Sequence, residues 1–246
     1  MTPPWETHPP RKRPTAQNPD DSPEERARLM SVLLSRFTWP VEEEFMRDSF
    51  EVVTDFARRK HVVFWPREGS RGAPPFARYL HEMGHALLAE QGHPQFSRPF
   101  FVRRTDPALR NTYGALFDAA LDWYVQDLLM GIAPTLQGDD IDARFRLTAQ
   151  TLRQGAALPG VEFVADAGLA LASFKQYRGL EITAQGKLRD VVEAFLRTPP
   201  DKPTLFGLQN LVRRLLECFG MHTASLVSEK GFERWRIDPL KKGSAP

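Results

Sequence analysis

Over most of the chain, apolar residues recur every three to four positions, the spacing that places them on one face of an α-helix. The spacing predicts helices over 22–37, 75–92 and 106–133, and near 140–154, 163–177, 184–197 and 204–219. Ser22 and Pro23 mark the start of the first helix, as a capping residue followed by a proline at the first helical position. Gly92 is a typical helix end for the second, and Pro94 prevents its continuation.

Two shorter stretches lie between the first two of these helices. Four apolar residues between positions 45 and 56 have roughly helical spacing, and they predict another helix after Pro40. The segment His61–Trp65, HVVFW, is short, β-branched and aromatic, and these features predict a strand that ends at Pro66. The expected fold class is therefore mainly α (α+β), with a small sheet and a C-terminal half that is helical from about residue 135.

The composition is that of one globular domain. The chain has 246 residues, of which 41% are hydrophobic, enough to bury a sizeable core. Residues 1–21 are rich in proline and charge and have little to bury, so we predict a disordered tail followed by a single domain over 22–246. The 33 basic residues nearly balance the 31 acidic ones, which argues against nucleic-acid binding through bulk charge.

Cysteine content and hydropathy restrict the kinds of metal site and the locations that the sequence allows. Cys218 is the only cysteine, which excludes an internal disulfide and a cysteine-based zinc cluster. Any metal must therefore be held by His, Asp or Glu. No apolar run approaches the roughly 20 residues of a membrane helix, and the charged, proline-rich N-terminus lacks the apolar core of a secretory signal. We expect a cytoplasmic protein with no membrane partner.

The most informative stretch is LHEMGHALLAEQGHP, residues 80–94. His81 and His85 are four residues apart on a predicted helix, so they share one face with Cβ atoms about 5–6 Å apart. Two imidazoles so placed can bind one Zn²⁺ at roughly 2.0–2.1 Å. Glu82 lies beside that face, where it can take a proton from a zinc-bound water and pass it to a leaving amine. The pattern predicts zinc-dependent hydrolysis of a peptide or protein substrate.

The His-Glu-x-x-His motif with its apolar flanks resembles that of the zincin metallopeptidases. The resemblance covers about a fifth of the chain and implies a zinc peptidase with a third protein ligand and a catalytic water. Gly84 is similar to the small residue found at this place in many such helices. The metzincin branch is excluded, because it needs Gly and His where this chain has Leu88 and Gln91.

Three residues are candidates for the third metal ligand. His93 follows His85 beyond the predicted helix end, so a loop would have to fold it back. Asp118 and Asp122 are one turn apart on the same face of an apolar predicted helix. A carboxylate buried there without a cation or a donor would cost several kcal/mol. We predict Asp122 as the ligand, with Asp118 as a partner that orients a ligand histidine.

The segment DAALDWYVQDLL also resembles the second motif of gluzincin-type bacterial peptidases, in which an acid on the next helix is the third ligand. ImmA/IrrE-type peptidases have an acid followed by an aromatic residue and Leu-Leu-Met, similar to Tyr124 and Leu128–Met130 here, and this likeness favours Asp118. An Asn-x-Ala-x-Asp form in other bacterial peptidases favours Asp122. This chain departs from both, with Asp in place of the commoner Glu and a longer spacing from His85. The ImmA/IrrE likeness implies a regulatory intracellular protease.

The sequence does not identify the residue that would stabilise an oxyanion. Such a residue is expected near the metal, and Tyr113, Tyr124 and His222 are candidates.

The alternative function is a zinc-binding protein-interaction module that cleaves nothing. Basic clusters at 58–60, 103–104 and 213–214 would suit a DNA-associated protease if they formed a stripe, although each also fits a solvated face, which is the interpretation we favour.

Overall fold

The computed structural model describes residues 22–47, 49–66, 75–154, 160–180 and 183–240. Within these ranges the helices are α1 (Pro23–Leu34), α2 (Phe76–Gln91), α3 (Pro107–Ile132), α4 (Pro134–Arg153), α5 (Gly160–Arg178), α6 (Gly186–Leu196) and α7 (Leu205–Glu217). The strands are β1 (Val41–Arg47), β2 (Glu51–Asp55), β3 (Lys60–Pro66), β4 (His222–Glu229) and β5 (Phe232–Pro239). The expected mainly α fold with a small sheet is confirmed. The predicted tail, 1–21, lies outside the described residues.

The first three helices, α1, α2 and α3, begin where the sequence predicts. In α1, the Ser22 hydroxyl accepts the backbone N–H of Glu25 at 3.1 Å, although the helix ends three residues earlier than expected. Helix α2 begins directly after Pro75 and ends before Gly92. In α3, the Asp106 carboxylate accepts the backbone N–H of Ala108 at 2.9 Å. None of the described helices combines the length and the hydropathy needed to cross a bilayer.

The helix predicted after Pro40 is wrong, because that segment forms strands β1 and β2. Strand β3, which confirms the predicted strand, lies between them, parallel to β1 and antiparallel to β2. The run Val52–Thr54 is β-branched, and such side chains suit a pleated surface better than a helix. Phe45 is 66% exposed, so the apolar spacing that suggested a helix does not mark a buried face.

The C-terminal half is helical up to residue 217 and then departs from the prediction. Helix α4 begins at Pro134, six residues earlier than expected, because a proline at the first helical position directly follows the end of α3. Strands β4 and β5 form a hairpin that the prediction missed. Its two-residue turn, Lys230-Gly231, has φ angles of 54° and 81°, which match the twist of a hairpin.

Helix α3 lies in the centre of the core and packs against α2, α4, α5 and α7. Its Trp123 is fully buried, and the indole N–H donates to the carbonyl of Thr198 at 2.8 Å. Helix α2 approaches α3 at Gly84, where an added methyl group would lie 2.9 Å from Cγ1 of Val125. The missing side chain at Gly84 therefore allows the motif face of α2 to lie close to α3.

Candidate metal centre

His81 and His85 share one face of α2 and lie next to Asp122 of α3. The Nε2 atoms of His81 and His85 are 3.1 and 3.2 Å from the same oxygen, Oδ1 of Asp122. The two Nε2 atoms are 3.2 Å from each other. Three potential ligand atoms thus form a nearly equilateral triangle that joins the two helices.

The triangle has the size of one face of a tetrahedral metal site. Ligand atoms at about 2.0–2.1 Å from a tetrahedral metal are about 3.3 Å apart, close to the 3.1–3.2 Å found here. Two imidazole nitrogens and a carboxylate oxygen form a donor set that suits a transition metal such as zinc. The group can therefore hold a metal ion, and no further His, Cys, Asp or Glu within the described ranges joins it.

Hydrogen bonding alone does not account for the triangle. With Asp122 ionised, a contact between the two Nε2 atoms needs one of them protonated and the other bare. The bare nitrogen then faces the carboxylate oxygen at about the same distance with no proton between them. If both nitrogens are instead protonated, each can donate to Asp122, but the contact between them then joins two donors. No protonation state therefore satisfies all three edges, and a cation bound by all three atoms would remove this conflict.

The second nitrogen of His85 fixes the orientation of its ring. Nδ1–H donates to the carbonyl oxygen of Phe96 at 3.0 Å, which leaves the Nε2 lone pair directed at the triangle. Phe96 ends a short 3₁₀ turn, Pro94–Phe96, and its fully buried ring packs edge-on against Tyr124. Metal-binding histidines commonly have their other nitrogen held in this way. The partner found for His85 is this carbonyl and not Asp118 as predicted.

The charges of the triangle stabilise one another. Burial alone would raise the pKa of Asp122, but hydrogen bonds from His81 and His85 hold it well below its usual value. Burial alone would lower the pKa of His85, but the hydrogen bond and the charge of Asp122 raise it above the usual value. Asp122 is therefore a carboxylate at neutral pH, which is the form that binds metal.

Asp118 is one turn before Asp122 on α3, and it is exposed and outside the triangle. Desolvation by the surrounding protein and repulsion from Asp122 and Asp166 raise the pKa of Asp118 to about 6, although the charge of His85 opposes the shift. The structure thus brings Asp122, and not its neighbour, to the two histidines.

His93, the other alternative ligand, is engaged elsewhere. Its Nδ1 accepts the backbone N–H of Gln95 at 3.2 Å, and its Nε2 is 2.9 Å from the carboxylate of Glu233 on β5. Because both ring nitrogens have protein partners, His93 does not join the triangle.

The three candidates for oxyanion stabilisation lie outside the cleft that Glu82 faces. The Tyr113 hydroxyl is 2.9 Å from Nδ1 of His222, and Tyr113 precedes Asp122 by nine residues, about 13–14 Å along α3. The Tyr124 hydroxyl is buried against Gly207 of α7. None of the three lines the cleft beside Glu82.

Glu82 opens onto a cleft of about 420 Å³ between α2, the end of α3 and α4. The floor of the cleft is apolar and includes Leu80, Leu129 and Ala133, whereas its rim carries polar side chains. Among the described residues, none makes a hydrogen bond or an ion pair with Glu82. Its carboxylate is therefore available for proton transfer beside the triangle.

A second histidine–carboxylate cluster, which the sequence did not indicate, lies at the C-terminal end of α2. The side chains of His61 and Glu90 are 0% and 3% exposed, and Nε2 is 2.9 Å from Oε2. The His61 Nδ1 is 3.0 Å from the Thr54 hydroxyl. Glu90 also accepts hydrogen bonds from the backbone N–H groups of Thr38 and Trp39. This cluster joins α2, the sheet and the segment after α1.

Two of the three basic clusters, 58–60 and 213–214, make local ion pairs. Arg58 pairs with Asp55, Lys60 pairs with Glu42, and Arg213 pairs with Glu217 one turn along α7. These contacts are typical of solvated surfaces, and they reduce the charge available for a phosphate-binding stripe.

Comparisons with protein-family models, with curated proteins and with solved structures found no match for this chain. The interpretation of the site therefore rests on its geometry and chemistry.

Proposed function

We propose that this protein is a zinc-dependent peptidase in which His81, His85 and Asp122 hold the ion. The observation that carries the proposal is the convergence of two Nε2 atoms and one carboxylate oxygen at 3.1–3.2 Å, with Glu82 next to them at a cleft. A bound Zn²⁺ supplies a Lewis acid that brings the pKa of water towards about 7 and polarises a carbonyl oxygen.

Glu82 is the general base and general acid of the proposed reaction. Its carboxylate takes the proton of the water that attacks the peptide carbonyl carbon, and then gives that proton to the leaving amine nitrogen. Its place one residue after His81 sets the carboxylate beside the triangle rather than in it. The Phe96 carbonyl holds the His85 ring in the tautomer that keeps Nε2 free for the ion.

The likeness of the motif to zincins supports this reaction class, with the gluzincin arrangement in which an acid from the following helix completes the site. The ImmA/IrrE likeness extends the proposal to a regulatory protease that acts inside the cell. This extension rests on sequence likeness alone and not on the site geometry.

The alternative, a zinc-binding interaction module without catalysis, requires a different number of protein ligands. Structural zinc is almost always enclosed by four protein ligands, whereas catalytic zinc keeps three and an open position. Within the described residues the group has three members, and Glu82 faces the adjoining cleft. Both features favour the enzyme.

The test is cleavage of a peptide mixture, followed by mass spectrometry, with wild-type and Glu82→Gln protein of equal zinc content. We expect the variant to lose at least about a hundredfold in rate, because the amide cannot accept the proton. Glu24→Gln, an exposed change on α1, is the matched control and should cleave as the wild type does. Unchanged cleavage by Glu82→Gln would contradict the role of Glu82.

A further inference from the structure

Arg78 lies at the rim of the cleft, on the same face of α2 as Glu82 and one turn before it. The four-residue spacing places the two Cβ atoms about 5–6 Å apart. Arg78 is exposed, and no described residue makes a hydrogen bond or an ion pair with it. The other arginine of the rim, Arg144, is paired with Asp140 at 2.8 Å. Among the described residues that line the cleft, Arg78 is thus the cation that is available to a ligand.

The apolar floor of the cleft excludes water from one side of a ligand that reaches Arg78 from within the cleft. Leu80, Leu129 and Ala133 are 1–3% exposed, so their side chains form an apolar surface. Charge-assisted hydrogen bonds are stronger in such surroundings than in open water, and a guanidinium can bind a carboxylate through two parallel bonds. The cleft is also within the usual size range of ligand pockets.

We propose that Arg78 determines substrate specificity by binding a carboxylate of the peptide that occupies this cleft. The inference rests on the proposed function, since it takes the ligand to be a peptide. An acidic side chain and a free C-terminus offer the same chemistry to the guanidinium. A basic side chain at this place would be repelled by Arg78.

The experiment measures binding to zinc-loaded Glu82→Gln protein, which keeps the cleft but does not turn over. The probes are fluorescent, amidated heptapeptides of alanine and serine with one Asp at each position in turn, and matched Asn and Lys versions. A further heptapeptide has no Asp but has a free C-terminus. It tests whether Arg78 binds a C-terminal carboxylate rather than an acidic side chain.

We expect at least one carboxylate peptide to bind about tenfold more tightly than its neutral counterpart, and the Lys version to bind no better than the Asn version. Adding Arg78→Gln should remove the preference. Arg103→Gln, an exposed arginine outside the cleft, is the matched control and should retain it. Equal binding of all peptides, no binding of any, or a preference that survives Arg78→Gln would overturn the proposal.

Cleavage by the wild type separates this inference from the proposed function. Peptides that bind with the carboxylate preference but are not cleaved would refute the peptidase and leave the role of Arg78 standing. Peptides that are cleaved, but bind the Glu82→Gln protein without the preference, would refute the role of Arg78 and leave the peptidase standing.

Discussion

Helix α2 contributes to two histidine–carboxylate clusters, Glu90 to the first and His81 and His85 to the second, and the clusters differ in what each ring nitrogen contacts. In the first, His61 has Glu90 at one nitrogen and the Thr54 hydroxyl at the other, so a neutral ring satisfies both contacts. In the second, the Nε2 atoms of His81 and His85 both face one oxygen of Asp122, and no protonation state of the ionised cluster satisfies every edge.

The two clusters also differ in the solvent exposure of their side chains. The side chains of the pair His61–Glu90 are 0% and 3% exposed, whereas those of the triangle are 13–22% exposed. A fully satisfied and buried pair stabilises the fold, and a crowded set of acceptors that solvent can reach is suited to a ligand. The same residue types therefore serve different purposes in two clusters that share helix α2.

The largest expected effect is on the buried pair. His61→Ala removes a partner from an almost fully buried carboxylate and leaves a cavity, so we expect the free energy of unfolding to fall by about 3–5 kcal/mol. Chemical denaturation measures the loss. Zinc bound per folded chain should stay unchanged, because the pair is not part of the triangle. A loss below about 1 kcal/mol would contradict the structural role of this pair.

A smaller effect is expected where α2 meets α3. In Gly84→Ala the new methyl group would lie 2.9 Å from Val125 Cγ1, and such overpacking typically costs about 1–3 kcal/mol. Because it separates the helices that bear the triangle, zinc affinity should fall as well, as measured by competition with a chelating dye.

Gly114→Ala is the matched control, since nothing lies within 4 Å of the added methyl group. Because Gly114 is half-buried within α3 and the added methyl group meets no neighbour, the change should stabilise the protein by about 0.5–1 kcal/mol and leave zinc affinity unchanged. Adding Val125→Ala to Gly84→Ala should restore part of the affinity. Full affinity in Gly84→Ala alone would show that the close approach does not position the triangle.

The smallest effect is a pH dependence of stability. Burial lowers the pKa of His61 from 6.5, although Glu90 opposes the shift. The unfolded chain therefore takes up a proton at this histidine before the folded protein does, so stability falls as pH drops below about 6.5. The slope from one such group is at most about 1.4 kcal/mol per pH unit. The free energy of unfolding, measured by chemical denaturation between pH 5 and 7, should change less per pH unit in His61→Gln than in the wild type. Equal slopes in the two proteins would contradict a neutral, buried His61.

The parts of the site that depend on local spacing could be predicted from the sequence. The pairing of His81 with His85 follows from helical periodicity, and Asp122 is one of two acids, with Asp118, that lie one turn apart within a largely apolar stretch of the predicted helix. The Phe96 carbonyl could not be predicted, because a backbone oxygen leaves no mark in the sequence. His61 and Glu90 are 29 residues apart with no local pattern that relates them.

The errors in the predicted fold also arise where the local sequence pattern does not decide the structure. Helical spacing between residues 45 and 56 competed with the β-branched run Val52–Thr54, and pairing with β3 decided the outcome. The hairpin of β4 and β5 did carry a local signal, Lys230-Gly231 between two stretches of alternating polarity, which the helical pattern of the preceding segments obscured.

The most direct test of the central claim is zinc per chain, by elemental analysis, in protein purified without added metal. We predict close to one zinc in the wild type and markedly less in Asp122→Ala. The control is His93→Ala, which should retain the wild-type content because His93 is bound to Glu233. Little zinc in the wild type, or an unchanged content in Asp122→Ala, would contradict the assignment of these three residues as a metal centre.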